Sequence, residues 1–212
     1  MIYSLTVSAD GAATTSQIAE RLGLTAGSVS TMVKRMHGAG LVQHLPYKGV
    51  SLTEQGRHLA LSVIRRHRLL ELFLATSLEI PWEDVHRFAD ALEHAASDEL
   101  IELIAAKLGY PETDPHGDPI PNSDLVVDES HGTSLSELDI GTEGMIVRVS
   151  DSDPAMLRYL TEQQIGIGDR VTLLGRQPFD GPCDVVIGAT THTLGLKLAE
   201  AIRVQPNPDT SR

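Results

Sequence analysis

Apolar positions recur with the period of an α-helix in two short segments near the start of the chain. Across residues 14–23, Ile18 and Leu22 stand four positions apart and lie on one helical face. Thr14 and Gln17 have the spacing of a capping box, in which each side chain bonds to the backbone of the other residue. This pattern predicts a first short helix.

A second helical segment follows Thr25, whose side chain is suited to cap it. Its apolar residues stand at the helical spacing i, i+3, i+4 and i+7: Val29, Met32, Val33 and Met36. Gly38 ends the segment, and apolar runs at residues 41–45 and 50–52 then predict a hairpin. Two helices joined by a tight turn and followed by a hairpin are typical of a winged helix-turn-helix.

Three longer helices are predicted next, at residues 54–75, 81–96 and 98–108. The following stretch, residues 110–137, contains four prolines and seven acidic residues but no lysine or arginine. This composition favours an extended linker, in which His116 and His131 are expected to be exposed to solvent.

From residue 138 onward the pattern is mostly that of short β-strands, at 145–149, 171–174 and 185–187. One short helix interrupts them, because Asp153 is suited to cap a helix and Pro154 falls in its first turn. Short strands of this kind predict a small barrel.

The net charge of −12 is an average over two unlike parts of the chain. Residues 1–70 carry a net charge of +5, whereas residues 71–212 carry −17. The overall negative charge therefore does not exclude nucleic acid, since the asymmetry indicates a basic module attached to an acidic body.

Composition excludes several other classes of protein. Aromatic residues make up only 4% of the chain, which argues against a protein built on base stacking. No apolar run approaches the ~18 residues of a membrane-spanning helix, and no basic residue precedes Arg21 to begin a signal peptide. The single cysteine, Cys183, cannot form an intrachain disulfide. We therefore expect a soluble, cytoplasmic protein without a membrane partner.

Imidazole and carboxylate side chains concentrate on one face of the helix predicted at residues 81–96. Four of them fall within a helical sector of about 100°: His86, Asp90, Glu93 and His94. On the preceding helix, His67 and Glu71 are neighbours on the apolar side, where an unpaired carboxylate would be costly. Nitrogen and oxygen donors grouped in this way predict a site for a divalent metal. A hydrogen-bonded network without metal and a hydrolytic metal centre are the two alternatives.

With these motifs in place, the sequence resembles the DtxR/MntR family of diphtheria-toxin-repressor-like, metal-dependent transcriptional regulators. The resemblance covers nearly the whole chain and rests on an ordered set of motifs: Ile18-Ala19-Glu20-Arg21-Leu22, the wing Tyr47-Lys48-Gly49-Val50, His67-Arg68-Leu69-Leu70-Glu71, Val85-His86 with Asp90, Glu93 and His94, and Gly117-Asp118-Pro119-Ile120-Pro121. It implies a mainly α fold with a small β part. The implied domains are a winged-helix DNA-binding domain at residues 1–60, a helical metal-binding and dimerisation domain at 61–109, the linker at 110–137, and an SH3-like (FeoA-like) domain at 138–205.

The resemblance also implies which side chains hold metal. Asp90, Glu93 and His94 match the primary metal site of the family. The ancillary site is matched by three further residues: His67, Glu71 and His86. Asp90 stands where the iron-sensing branch has cysteine, and because a carboxylate is a harder ligand than a thiolate, Mn²⁺ is favoured over Fe²⁺.

One departure from the family concerns the start of the chain. In the family a first helix, which carries a further primary-site ligand, precedes the segment that corresponds to residues 2–5. Because the chain begins at Met1, we expect this helix to be largely missing. The primary site would then need water or a main-chain carbonyl to complete its ligand set.

The recognition helix is expected at residues 28–36, with its N-terminal end in the major groove of DNA. The residues expected near base edges are Thr25, Ala26, Gly27, Ser28 and Thr31, and those expected at phosphates are Lys34, Arg35 and Lys48. Reading a palindromic operator requires two recognition helices, so the expected partners are double-stranded DNA and a second copy of the chain. The resulting hypothesis is a Mn²⁺-activated homodimeric repressor of metal-uptake genes. An Fe²⁺-dependent repressor of the same family and a metallohydrolase that uses the His/Asp/Glu cluster are the alternatives.

Overall fold

The computed structural model describes residues 1–8, 11–45, 49–128 and 132–208. The chain divides into two compact units, Met1–Ile64 and Arg65–Arg212. Among the helices within the described ranges, none combines the length and the apolar character needed to cross a membrane.

The first unit is a winged helix-turn-helix, as the hydrophobic pattern predicts. Its elements are α1 (Ile2–Ser8), α2 (Thr15–Leu22), α3 (Ala26–Gly38), β1 (Val42–Leu45), β2 (Gly49–Leu52) and the start of α4 (Glu54–Ser77). The pattern predicts all of these except α1. The turn of the hairpin, including Lys48, lies outside the described residues.

Side-chain caps determine where α2 and α3 begin. Thr14 Oγ1 accepts a hydrogen bond from the backbone nitrogen of Gln17 at 3.2 Å, and Gln17 Oε1 accepts one from the backbone nitrogen of Thr14 at 2.8 Å. This completes the predicted capping box. At the start of α3, Thr25 Oγ1 accepts from the backbone nitrogen of Ser28 at 3.2 Å. The N-terminal end of α3 is therefore fixed at Thr25.

The helical part of the second unit consists of the rest of α4, α5 (Val85–Glu93) and α6 (Asp98–Lys107). Helix α5 starts later than predicted, because residues 82–84 form a turn in which the backbone nitrogen of Asp84 donates to Pro81 O at 2.9 Å. Apolar residues of the three helices form one core: Leu69, Leu70, Leu74, Val85, Ala89, Ile101, Ile104 and Ala105. This core holds α4 beside α5 and so determines which of their polar side chains meet.

The C-terminal part of the second unit is the predicted SH3-like, FeoA-type barrel. Its antiparallel sheet has the strand order β3–β8–β4–β5–β6–β7. The strands are β3 (Thr133–Ser134), β4 (Glu143–Val149), β5 (Arg170–Arg176), β6 (Cys183–Ile187), β7 (Thr190–Leu194) and β8 (Ile202–Pro206), with helices α7 (Pro154–Glu162) and α8 (Leu196–Ala201). The pattern predicts β4, β5, β6 and α7. It misses β3, β7, β8 and α8. Strand β7 escapes because this edge strand is mostly polar, as edge strands often are.

Residues 113–121 are not the exposed linker that their composition predicts. They form only one isolated β-bridge, between Thr113 and Pro119, but five of their side chains are buried: Asp114, His116, Asp118, Ile120 and Pro121. The backbone nitrogen of Val149, at the end of β4, donates to His116 O at 2.9 Å. The expectation that His116 is exposed is therefore wrong, because its side chain is packed between the barrel and the helices. His131 lies outside the described residues.

Asp118 joins this segment to both neighbouring parts of the second unit. Its Oδ1 atom lies 2.8 Å from a guanidinium nitrogen of Arg68, on α4, and 2.8 Å from one of Arg148, on β4. The preceding residue, Gly117, has φ +84°, and a Cβ there would lie 2.0 Å from Val147 O. Only glycine fits so close to a strand. Acidic residues that composition assigns to solvent are thus buried, because arginines compensate their charge.

Candidate metal centre

Glu71 lies at the centre of a group of imidazoles and carboxylates that α4 and α5 contribute. Its side chain is buried, and Oε1 lies 2.9 Å from His67 Nε2 and 3.0 Å from His86 Nδ1. On the other side of the imidazole, His67 Nδ1 lies 2.8 Å from Glu93 Oε2. Asp90 is placed more loosely, with its oxygens 3.7 Å from His67 Nδ1 and 3.6 Å from His86 Nε2. The structure therefore brings five of the six predicted ligands together.

Contacts within this group favour the protonated form of His67 and His86 and the ionised form of Glu71. Burial opposes the charged form of His67, but hydrogen bonds to Glu71 and Glu93 outweigh it and raise the pKa of His67 to about 9. Burial also opposes charge on Glu71, but hydrogen bonds from His67 and His86 lower the pKa of Glu71 to about 2. The hydrogen bond to Glu71 raises the pKa of His86 as well. A cation that enters this group must therefore compete with protons for the ring nitrogens.

His94 is the predicted ligand that the structure leaves outside this group. It is the C-terminal cap of α5, and 84% of its side chain is exposed. Its Nε2 atom lies 3.5 Å from Glu93 Oε1, whereas Glu93 Oε2 contacts His67. The carboxylate of Glu93 therefore connects the two sets of ligands that the resemblance assigns to the primary and the ancillary site.

A second group of possible ligands lies on the buried side of Glu71. Carboxylate oxygens of Glu71 and Asp114 and a ring nitrogen of His116 lie within 4.8 Å of one another, and all three side chains are buried. Burial, followed by the charges of Asp118 and Glu71, raises the pKa of Asp114 well above its usual range. Two carboxylates this close together are stable only when a proton or a cation compensates their charge.

The hydrogen bonding of His116 is that of a metal ligand. Nε2 lies 2.8 Å from the carbonyl oxygen of Trp82, so Nε2 carries the hydrogen and donates it. Nδ1 is then a bare acceptor, and among the described residues it has no hydrogen-bond partner although it is buried. Histidines that bind metal commonly donate their other ring nitrogen to a backbone carbonyl in this way. Because a buried, unpartnered acceptor is also costly, the residues of this pocket fit a divalent cation.

The loop after β4 adds a further carboxylate. Asp151 Oδ2 lies 3.8 Å from His86 Nδ1. Glu71, His86 and Asp151 form a third group whose possible ligand atoms lie within 4.8 Å of one another. The barrel thus contributes a side chain to the same centre. Glu71 belongs both to the buried group, with Asp114 and His116, and to the more exposed open group, with His86 and Asp151.

Sequence reasoning misses three of these side chains: Asp114, His116 and Asp151. A signal for two of them was present, because Asp114 and His116 directly precede the motif Gly117–Pro121 that carries part of the family resemblance. The proline- and acid-rich composition of the segment favoured a linker instead. Asp151 has no comparable signal, since it stands among alternating serines and acids after β4.

The predicted DNA contacts lie on the exposed side of α3 in the first unit. The described residues of this set are all exposed: Thr25, Ala26, Gly27, Ser28, Thr31, Lys34 and Arg35. Val29 and Val33 are buried on the opposite side of the helix. The side chains of Lys34 and Arg35 and the small residues at the start of α3 are thus exposed to solvent, as the residues of a recognition helix must be.

Comparison with protein families assigns a class to each part of the chain. The N-terminal DNA-binding domain of iron dependent repressors matches residues 1–50. The metal binding and dimerisation domain of iron dependent repressors matches residues 53–122, and the FeoA domain matches residues 133–206. These matches define a DNA-binding repressor that also has a metal-binding domain and a FeoA domain.

Similar proteins are found over most of the chain. It is 32% identical over 209 residues to the iron-dependent repressor IdeR of Mycobacterium tuberculosis, which covers 89% of this chain and 87% of the relative. Among solved structures, a manganese-dependent transcriptional repressor in complex with manganese has a TM-score of 0.88 and 39% identity, covering 97% of this chain and 98% of that one. The manganese regulator SloR has a TM-score of 0.81 and 30% identity, covering 97% and 95%.

The chain therefore belongs to the iron dependent repressor family, which is the DtxR/MntR family that its motifs resemble. Members of this family are metal-dependent, DNA-binding transcriptional repressors and not enzymes. The predicted class is confirmed, and the metallohydrolase alternative is excluded.

Proposed function

We propose that this chain is a Mn²⁺-activated homodimeric repressor that binds a palindromic operator of metal-uptake genes in the cytoplasm. The proposed domains are residues 1–60 for DNA binding, 61–109 for metal binding and dimerisation, and 138–205 for the barrel, with residues 110–137 as the proline- and acid-rich linker between the last two. The proposed DNA contacts are Thr25, Ala26, Gly27, Ser28, Thr31, Lys34, Arg35 and Lys48.

The polar centre around Glu71 is the observation that carries this proposal. Its open side brings together five of the six predicted ligands: His67, Glu71, His86, Asp90 and Glu93. The sixth, His94, contacts Glu93 from outside the group, and we propose that it turns toward the bound cation. The buried side offers Asp114 and His116, and the barrel adds Asp151. A divalent cation bound there supplies the positive charge that protons otherwise provide. Ligands from both α4 and α5 then bind the same cation, so α4 is held to α5 at this point.

Carboxylate and imidazole donors support Mn²⁺ as the physiological metal. They are hard or intermediate ligands, and Cys183, the only thiol of the sequence, is buried in the barrel core instead. The solved manganese-dependent repressor at 39% identity supports the same choice. Fe²⁺ is the second candidate, because the relative IdeR is described as iron-dependent and nitrogen and oxygen sites generally bind Fe²⁺ more tightly.

Exposed apolar side chains on α5 and α6 support a homodimer. Phe88 and Leu92 are spaced four apart on α5, and Leu100 and Leu103 three apart on α6, so each pair shares a face of its helix. Between 38% and 63% of each residue is exposed. A two-fold symmetric contact through such a surface would pair two recognition helices, as a palindromic operator requires.

Metal binding would control DNA binding through α4, which directly follows the wing in sequence. A cation shifts the population toward a DNA-competent state only to the extent that it binds this state more tightly. We therefore expect Mn²⁺ to strengthen operator binding on the order of 10- to 100-fold, the usual size of such coupling.

The test has two steps. The full chain with Mn²⁺ first selects DNA duplexes from a random library. Binding of the selected duplex is then titrated with Mn²⁺, with Fe²⁺ under anaerobic conditions, and with EDTA. The expected result is an inverted-repeat consensus that is bound most tightly with Mn²⁺ and least tightly with EDTA. Equal affinity with Mn²⁺ and EDTA would overturn metal activation, and a consensus without two-fold symmetry would overturn the palindromic operator.

Metal affinity is expected to increase with pH between about 6 and 8, by up to tenfold per unit for each proton released. The reason is that His67, with a pKa of about 9, holds a proton throughout this range and must lose it to bind metal. The raised pKa of His86 adds to this effect. Calorimetric Mn²⁺ titrations in two buffers with different ionisation enthalpies measure the number of protons released.

One to two protons are expected per bound ion at neutral pH. His58→Gln is the control, since His58 is an exposed residue of α4 in the first unit, outside the polar centre, and should leave the count unchanged. Metal binding without any proton release would contradict the assignment of His67 as a ligand.

A further inference from the structure

Trp82 contacts the buried side of the metal centre and the barrel at the same time. It is the only tryptophan of the chain and stands in the turn before α5. Its carbonyl oxygen accepts the hydrogen bond from His116 Nε2 at 2.8 Å, and its ring stacks on the imidazole at 5.9 Å between centroids. It therefore fixes both the tautomer and the orientation of His116.

The other edge of the Trp82 ring is bonded to the barrel. Nε1 donates to Thr161 Oγ1, on α7, at 2.7 Å. The Thr161 hydroxyl in turn has two acceptors within reach, Leu157 O at 3.1 Å within α7 and Glu83 Oε2 at 3.4 Å. The indole also packs against the apolar core of the barrel. A continuous set of contacts thus leads from His116 through Trp82 and Thr161 to the backbone of α7.

We infer that Trp82 is a positioning residue through which metal in the buried pocket tightens the attachment of the barrel to the helices. This inference rests on the proposed function, because it requires the pocket of Glu71, Asp114 and His116 to bind a divalent cation.

The physical reason for this coupling is that the imidazole of His116 would bind the cation through Nδ1 and already donates to the carbonyl of Trp82 through Nε2. When Nδ1 of an imidazole binds a cation, electron density leaves the ring, and the hydrogen on Nε2 becomes a stronger donor. The carbonyl of Trp82 is then held more tightly, and the indole that follows it in the same residue holds Thr161. The two hydrogen bonds use separate groups of Trp82, so the coupling between them is mechanical: a residue whose backbone moves less holds its indole, and with it Thr161 in the last turn of α7, in a narrower range of positions.

Amide hydrogen exchange of the full chain, with and without Mn²⁺, tests this inference. In the unmodified protein we expect exchange in residues 157–162 to slow by about fivefold with Mn²⁺, which is what one hydrogen bond typically contributes. Thr161→Val removes the acceptor but keeps the shape of the side chain, and should abolish this metal-dependent slowing. Thr161→Ser restores the hydroxyl and should restore the slowing.

Thr191→Val is the matched control, because Thr191 is an exposed residue of the edge strand β7 and the same atoms are exchanged. The emission maximum of Trp82 is a second readout and should shift with Mn²⁺ in the unmodified protein but less in Thr161→Val. Calorimetry establishes Mn²⁺ binding for each variant.

The outcomes separate the inference from the proposed function. If Thr161→Val binds Mn²⁺ and its α7 still slows as in the unmodified protein, Trp82 does not couple the two parts, while metal binding itself stands. If the unmodified protein shows no Mn²⁺ binding by calorimetry, the proposed function fails and the inference fails with it.

Discussion

Replacing Glu71 with glutamine is expected to lower Mn²⁺ affinity on the order of 100-fold or more, because loss of even an indirect partner of a metal ligand commonly costs 10- to 100-fold. Glu71 belongs to both the buried and the open group of possible ligands, so one substitution affects the whole centre. Glutamine keeps the size of the side chain but removes the charge that attracts a cation. Operator affinity in Mn²⁺ should fall to the value measured in EDTA.

Calorimetry for the metal and DNA titrations with Mn²⁺ and EDTA measure the two effects separately. Glu99→Gln is the matched control, because Glu99 is an exposed residue of α6 that takes part in none of the possible ligand groups of the described chain. It should leave both affinities unchanged. Mn²⁺-dependent operator binding by Glu71→Gln at the unmodified level would show that the centre around Glu71 does not control DNA binding.

Local spacing explains why part of this centre is predictable from sequence. His67 and Glu71 are four positions apart on one helix, as are His86 and Asp90, so a helical projection alone makes each pair neighbours. The contact between His67 and Glu93 has a different origin, because it depends on how the apolar residues of α4 and α5 pack. The resemblance to a family, rather than any spacing, predicts that these helices meet.

Composition fails for the segment that contains Asp114 and His116, and the reason is electrostatic. A hydropathy scale gives each residue the free-energy cost of burying it without a partner, and for aspartate this cost is high. In this fold Asp118 is paired with arginines from two other elements, and Asp114 accepts backbone hydrogen bonds from His116 and Asp118. Such partners are distant in sequence, so no local window reveals them. The buried half of the metal centre is therefore visible only in the structure.

The pairing of Asp118 leads to the second large effect, which concerns stability and needs no metal. Asp118→Asn is expected to lower the free energy of unfolding of the second unit by about 3 kcal/mol, because removing one member of a buried ion pair leaves the remaining charge uncompensated. Both Arg68 and Arg148 bind its carboxylate at 2.8 Å, and their side chains are only 19% and 28% exposed. Asparagine retains the shape but not the charge, and Asp114 lies farther from Arg68, at 3.8 Å.

Chemical denaturation in EDTA, followed by the fluorescence of Trp82, measures this loss, since the sole tryptophan packs on the barrel core within the same unit. Asp98→Asn is the matched control: Asp98 pairs with Arg66 at 2.5 Å, but 92% of its side chain is exposed. Water already screens that pair, so its loss should cost less than about 1 kcal/mol. An equal loss of stability in both variants would contradict the idea that burial makes the Asp118 pairing strong. The charge of Asp118 would then not be what connects the barrel to the helices.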